Sequence, residues 1–218
     1  MGIYEFAGCV VSYEPLYGLL RRRMETYRSD TERQPDITLD GTKEDYEKLR
    51  KQYPHLSIEE CEYSCAGAEF YMKLLKHQGF MIHASAVEKE GKAYLFSAPS
   101  GTGKSTHAQL WRQTFKGEPI RIINDDKPAV CLQNGVFYAC GTPFSGKTDK
   151  NENRKAPIQG LCMLHRGKTN KIQKITSGEA LPLILPQTLF YGDEEETNLL
   201  LSFLDRFLQS VPVYKMEC

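Results

Sequence analysis

The run Ser97-Ala98-Pro99-Ser100-Gly101-Thr102-Gly103-Lys104-Ser105-Thr106 constrains this chain more than any other stretch. Set against the phosphate-loop pattern G-x-x-x-x-G-K-[ST], it has Ala98 in place of the first glycine and matches elsewhere. The physics behind the pattern is specific. Successive backbone N–H groups curl around a phosphate, which requires glycines at Gly101 and Gly103 for unusual φ/ψ and close approach. A helix starting just afterwards adds unpaired N–H groups and a favourable dipole. Lys104 is placed to reach β/γ-phosphate oxygens, and the Ser105 hydroxyl to ligate a divalent cation. The flanks fit, because an apolar run, Ala93-Tyr94-Leu95-Phe96-Ser97, precedes the loop and a helical stretch from Ser105 to Phe115 follows. Ser100, Gly101, Thr102, Gly103, Lys104, Ser105 and Thr106 are thus the nucleotide-binding candidates. The competing reading is a chance Gly-Lys-Ser turn.

A phosphate loop needs a metal-organising carboxylate, usually at a strand's end. Ile122-Ile123-Asn124-Asp125-Asp126 supplies two acids together. One can face a metal while the other accepts a proton from a substrate hydroxyl; alone, the pair would read as a surface turn. His83 lies in the apolar run 81–87. A short turn at 88–91 returns the chain antiparallel, so His83 is expected near Ala98 and the loop. It is read as metal ligand or proton carrier, against a satisfied core histidine.

Composition removes several classes. Lys+Arg and Asp+Glu are both 28, so the formal net charge is zero. No uniform basic coat exists, and nucleic acid is not an expected partner. No apolar run approaches the ~18 residues of a membrane helix. The first twenty residues contain Glu5 and Glu14 and no Lys or Arg, unlike a secretory leader. Position 6 is Phe6, against the myristoylation pattern, and Cys218 is misplaced for prenylation. The seven cysteines include no C-x-x-C, and reduced packing thiols fit best. Cys61 and Cys65, four apart, are the alternative metal or redox pair. The expected location is cytoplasmic.

Along the chain, residues 1–13 read as strand-like and Leu16–Arg28 as a basic helix containing Arg21-Arg22-Arg23. That triplet is either a solvated face or a patch for an acidic partner. Thr42 with Asp45, and Ser57 with Glu60, mark helix starts; Pro54 ends the first and Gly79 the second. Strands are expected at 81–87, 93–97, 119–123, 158–164 and 171–176. A hairpin is expected at Asn134-Gly135, a polar loop over 141–156, and helices over 178–209. The expected fold is α/β, a mixed sheet bearing the phosphate loop, with residues 1–79 an N-terminal α/β elaboration and 80–218 the core.

Taken together, Ile82-His83-Ala84-Ser85-Ala86, Ala93 to Phe96, Ser100 to Thr106 and Asn124-Asp125-Asp126 resemble the nucleotide-binding core of ATP-dependent phosphoenolpyruvate carboxykinase and of the related HPr kinase/phosphorylase family. The resemblance covers roughly residues 80–160. It implies that Lys104 binds phosphate, that Ser105, Asp126 and His83 hold the metal, and that Asp125 is the general base. Glu152-Asn153-Arg154, one residue short in spacing, resembles the segment whose arginine contacts the γ-phosphate; Lys147 or Lys155 could substitute for Arg154. A full carboxykinase is far longer, and the lysine expected before His83 is absent. The HPr kinase C-terminal signature has no counterpart either. What remains is a compact kinase core using ATP and Mg²⁺ or Mn²⁺. Its acceptor would be a hydroxyl, as in a serine, free or in a peptide or protein. The alternatives are a nucleotide-binding regulatory module presenting residues 1–60 to a partner, and an NTP hydrolase with no acceptor.

Overall fold

A computed structural model of the chain describes residues 1–115, 117, 119–189 and 192–218. Its strands are β1 (Gly2–Phe6), β2 (Cys9–Tyr13), β3 (Ile37–Thr38), β4 (Gly79–Met81), β5 (Ala84–Lys89), β6 (Lys92–Ser97), β7 (Arg121–Asn124), β8 (Ala129–Gln133), β9 (Val136–Cys140), β10 (Lys155–His165), β11 (Lys171–Ile175) and β12 (Val213–Glu217). Its helices are α1 (Gly18–Met24), α2 (Lys43–Gln52), α3 (Ile58–Leu74), α4 (Lys104–Thr114), α5 (Ser177–Ile184) and α6 (Glu194–Ser210).

The architecture is mixed α/β with a curled sheet. Strand order runs β4-β8-β9-β10-β6-β5-β7, and β12 pairs both β10 and β11. The stretch 79–89 pairs with 121–133 at both ends, through β4 with β8 and β5 with β7. The ladder thereby returns to its starting strand and the sheet closes on itself. Three hairpins set the register with left-handed turn pairs: Ala7-Gly8, Glu90-Gly91 and Asn134-Gly135 all have positive φ. β10 is the seam. It takes β9 antiparallel at 155–157, then β6 and β12 parallel further on.

Helix starts follow the capping chemistry. Thr42 with Asp45 and Ser57 with Glu60 form reciprocal boxes at α2 and α3, and Thr176 with Glu179 forms a third at α5. One departure from expectation is β12, whose residues had no assigned strand. Another is the 81–87 run, interrupted at 82–83, where the backbone turns to Gln187 and Pro128 instead of a regular ladder.

Three buried clusters organise the interior. Between the sheet and α5–α6 lies one built on Phe80, Leu95, Leu161 and Phe207. Under α4 is a second, with Phe96, Ala108 and Cys162. The third joins β1–β3 and α1–α3 to the main sheet, since Phe6, Tyr27 and Phe70 pack with Met81, Ala129, Cys131 and Phe144. Residues 1–79 therefore share their core with the remainder of the chain. The thiols of all seven cysteines are free.

Candidate active site

The loop leaves β6 at Ser97 and enters α4 at Lys104. Gly101 has φ +77° and Gly103 φ +117°, and a Cβ built on either meets nothing within 4 Å. Backbone conformation is what demands glycine here, and the space above both is open. Gly103 caps α4 with no side-chain hydrogen bond, which leaves first-turn N–H groups for an anion. Ser100 is exposed, Thr102 and Ser105 are half-buried, and Thr106 is exposed on the first turn. Lys104 is 7% exposed, and its Nζ donates to the Ala98 carbonyl at 3.0 Å. Burial pulls its pKa down, and the Asp126 carboxylate partly opposes this.

The acids occupy a break in the strand path between β7 and β8, and buried Asn124 makes that break. Its Oδ1 accepts from the N–H groups of Asp126 at 3.0 Å and Lys127 at 2.8 Å, and its Nδ2 donates to Thr142. An asparagine folding its amide over its own following backbone is a standard turn device. The break puts Asp126 opposite His83. Asp126 Oδ1 lies 3.2 Å from His83 Nε2, and Oδ2 lies 3.0 Å from Lys127 Nζ. Burial raises the Asp126 pKa, but the hydrogen bond from His83 and the Lys127 charge outweigh it and hold the carboxyl at about 2. His83 Nδ1 lies 3.3 Å from Gln187 Oε1. The His83 carbonyl accepts from Ser97 Oγ at 2.8 Å, which puts the histidine beside the start of the glycine-rich loop.

Asp125 points elsewhere, as neighbours in extended chain do. It is 3% exposed, and Oδ2 accepts from Thr148 Oγ1. Oδ1 is buried with no hydrogen-bond partner among the described residues. A Cβ on Gly146 would stand 3.3 Å from Asp126 Cγ and 3.5 Å from Asp125 Oδ1, so both carboxyls border one point. The structure thus brings Lys104, His83 and Asp126 together beside the start of the glycine-rich loop, with the Asp125 carboxyl buried next to them against Gly146 and Thr148.

Arg154 is not in this group. Its Nε and Nη2 form a two-pronged pair with Glu88 at 2.8 and 3.0 Å. Glu88 sits opposite Ala93, whereas Ala84 sits opposite Ser97. Four residue steps along β5, from Ala84 to Glu88, carry Arg154 about 13 Å from the loop. Lys155 is likewise occupied, with Gln133 Oε1 at 2.6 Å. Lys147 is exposed in the loop beside Gly146.

Several contributors carried no signal in the sequence. Arg166 Nη2 donates to the Gly101 carbonyl at 2.8 Å from the end of β10. Arg23, in the basic triplet, holds the 141–151 loop: Nη1 donates to Ser145 O at 2.7 Å, Nη2 to Gly146 O at 3.1 Å, and Nε pairs with Asp149 at 3.0 Å. Tyr63 of α3 donates to Ser145 O at 2.6 Å. A tyrosine on a long helix and the third of three arginines look alike whether or not they support a site. A cavity of about 640 Å³ between α5 and the end of α6 is lined by none of these site residues.

No protein-family model matches the chain, and no curated protein matches it. Among solved structures it is similar to the HPr(Ser) kinase/phosphatase from Coxiella burnetii, at 10% identity and a TM-score of 0.35, over 63% of this chain and 84% of that one. So distant a likeness carries no argument about chemistry, which rests on the side chains described. No described helix is long and apolar enough to cross a membrane.

Residues for a divalent cation exist here, though sparsely. Among the described residues no cluster of three or more His, Cys, Asp or Glu could hold a metal. His83 and Asp126 converge at 3.2 Å, and Ser105 stands on the first turn of α4. One carboxylate, a histidine and a hydroxyl are a thin donor set, so a divalent cation here would keep waters and take its other ligands from phosphate. The ionised state of Asp126 fits that demand.

Proposed function

We propose that the protein is an ATP-dependent phosphotransferase with a hydroxyl acceptor. The observation that carries the reading is the convergence of Lys104, His83 and Asp126 beside an open, glycine-lined helix N-terminus, with an orphaned Asp125 oxygen on the neighbouring residue. The loop N–H groups and Lys104 hold the phosphates; a site built for an anion explains a buried ammonium whose pKa burial depresses. Ser105, His83 and Asp126 would hold Mg²⁺ or Mn²⁺, which when bound neutralises phosphate charge. Asp125 accepts the hydroxyl proton through Oδ1, while Thr148 keeps Oδ2 oriented. The hydroxyl oxygen then bonds to the γ-phosphorus and the bond to the bridging oxygen breaks. ADP leaves with that electron pair. Arg154 has no part in this scheme, because Glu88 holds it elsewhere.

The test is transfer of labelled γ-phosphate, run beside binding of a fluorescent ATP analogue. Lys104→Ala is expected to lose analogue binding at least tenfold. Asp125→Asn is expected to keep binding and lose transfer by about 100-fold, the general-base range. An Asp125→Asn protein with wild-type transfer would overturn the base assignment. Binding with no turnover of any acceptor would mark a regulatory module, and steady ATP consumption with no acceptor a hydrolase.

A further inference from the structure

Thr148 holds the position that a phosphotransferase gives to its acceptor hydroxyl. Its Oγ1 donates to Asp125 Oδ2, on the carboxylate assigned as base. The other hydroxyls of the 141–151 loop are spent differently. Thr142 Oγ1 donates to the Lys127 carbonyl at 3.1 Å, and Ser145 Oγ to Asp149 Oδ1 at 2.9 Å. Thr148 is exposed, although the acid it touches is 3% exposed. Its placement is fixed from several sides. The Asp149 N–H donates to the Gly146 carbonyl at 3.1 Å and closes a four-residue turn with Lys147 and Thr148 at its tip. Arg23 clamps both ends of that turn, through Gly146 O at 3.1 Å and Asp149 Oδ1 at 3.0 Å. The Asp125 N–H donates to the Lys150 carbonyl at 3.2 Å, so backbone and side chain of Asp125 both meet this part of the loop. Gly146 abuts the next acid, since an added Cβ would stand 3.0 Å from Asp126 Cβ. Asp126 in turn lies 3.2 Å from His83 and is coupled to the Lys104 charge of the glycine-rich loop. The turn therefore runs from the carboxylate on the phosphate side to the carboxylate assigned as base.

We propose that Thr148 is a self-phosphorylation site, which takes the γ-phosphate of ATP bound to its own chain when no outside acceptor is present. The inference rests on the phosphotransferase reading and adds a modification site within the chain. A general base must stand within hydrogen-bond reach of the proton it removes, and Thr148 meets that demand with Asp125. A hydroxyl already tethered beside the base also needs no binding step of its own. In the transfer, Thr148 Oγ1 bonds to the γ-phosphorus, its proton passes to Asp125 Oδ2, and the bond to the bridging oxygen breaks. ADP leaves with that electron pair. The product cannot keep the contact that formed it. Phosphothreonine carries about −1.5 to −2 charges at neutral pH and has no hydroxyl proton left to donate. Like charge drives it from Asp125, and Lys147 and Lys150, in the same short stretch of loop, draw it outward. The reaction therefore stops at one phosphate per chain, unlike the steady ATP consumption of a hydrolase.

The experiment incubates the full chain with γ-labelled ATP and Mg²⁺, without an acceptor, and maps the label by peptide mass spectrometry. Label is expected on Thr148, rising to about one phosphate per chain. Its rate should be first order and unchanged over a tenfold range of protein concentration. Thr148→Ala is expected to lower the label at least tenfold, and Thr148→Ser to keep it as phosphoserine at the same position. Asp125→Asn is expected to slow labelling about 100-fold. Label confined to another residue, equal label in Thr148→Ala, or a rate that scales with protein concentration overturns the self-acceptor. Binding of a fluorescent ATP analogue with no label on the chain also overturns it, while leaving the phosphotransferase reading standing for outside hydroxyls. Absence of analogue binding overturns that reading itself.

Discussion

Asp126 ties stability to the site through its ionisation. Its carboxyl sits at about 2 in the folded protein against an ordinary value of 3.8. A depressed acid favours the folded state wherever the unfolded chain would begin to take up the proton, so the contribution is complete above about pH 4 and disappears as pH falls through 2. The shift corresponds to about 2 kcal/mol. Urea denaturation of Asp126→Asn is expected to show a loss of about 2 kcal/mol at pH 7 that shrinks toward nothing near pH 2. A loss that stayed constant with pH would place the effect in packing instead. Lys104 behaves oppositely. Burial lowers its pKa, so its charge opposes folding at neutral pH, and Lys104→Met is expected to hold or raise the melting temperature while removing nucleotide binding. A clear fall in melting temperature would show that the ammonium supports the fold rather than a ligand.

At the scale of elements, the acids depend on a loop that the N-terminal helices hold. Arg23 of α1 reaches two carbonyls and a carboxylate of the 141–151 loop, and Tyr63 of α3 reaches a third hydrogen bond to it. Arg23→Ala is expected to cost about 2 kcal/mol in denaturation, the range for charge-assisted hydrogen bonds. It should reduce transfer more than analogue binding, because the loop orients Asp125 through Thr148 and leaves the glycine-rich loop alone. Equal losses in both readouts would argue for general destabilisation. These same elements mark where the sequence could be read. The two capping boxes at Thr42 and Ser57, the Asn134-Gly135 turn and the glycine-rich loop are local chemistry, legible within a few residues. The antiparallel return that puts His83 beside the loop was legible too, from a short turn between two apolar runs. β12 was not, because one buried and four half-buried residues after a helix form a strand through parallel pairing with β10, a partner remote in sequence. The position of Arg154 was not legible for the same reason. Its neighbour Glu88 lies across the fold, and no spacing along the chain reveals such a pair.

For the whole molecule, the shared cluster decides whether 1–79 and 80–218 behave as separate units. Phe144 is fully buried, with its ring 5.7 Å from both Phe70 and Tyr71, and Phe6 lies 4.7 Å from Phe70. Removing the first segment would expose this aromatic surface along with Met81, Ala129 and Cys131. Coupling through so much common apolar surface makes independent unfolding costly. The chain carries its own reporter, since Trp111 is the sole tryptophan and sits on α4 against Tyr94 and Phe96, far in sequence from the N-terminal sheet. Tryptophan fluorescence and far-ultraviolet circular dichroism are expected to give one coincident urea transition. Phe144→Ala, at about 3–5 kcal/mol for a buried aromatic, should shift both curves together. A circular dichroism change that precedes the fluorescence change, widening in Phe144→Ala, would instead show that residues 1–79 open on their own. The 141–151 loop that backs the acids would then be mobile independently of the phosphate side, since Arg23 and Tyr63 would leave with the segment that opens.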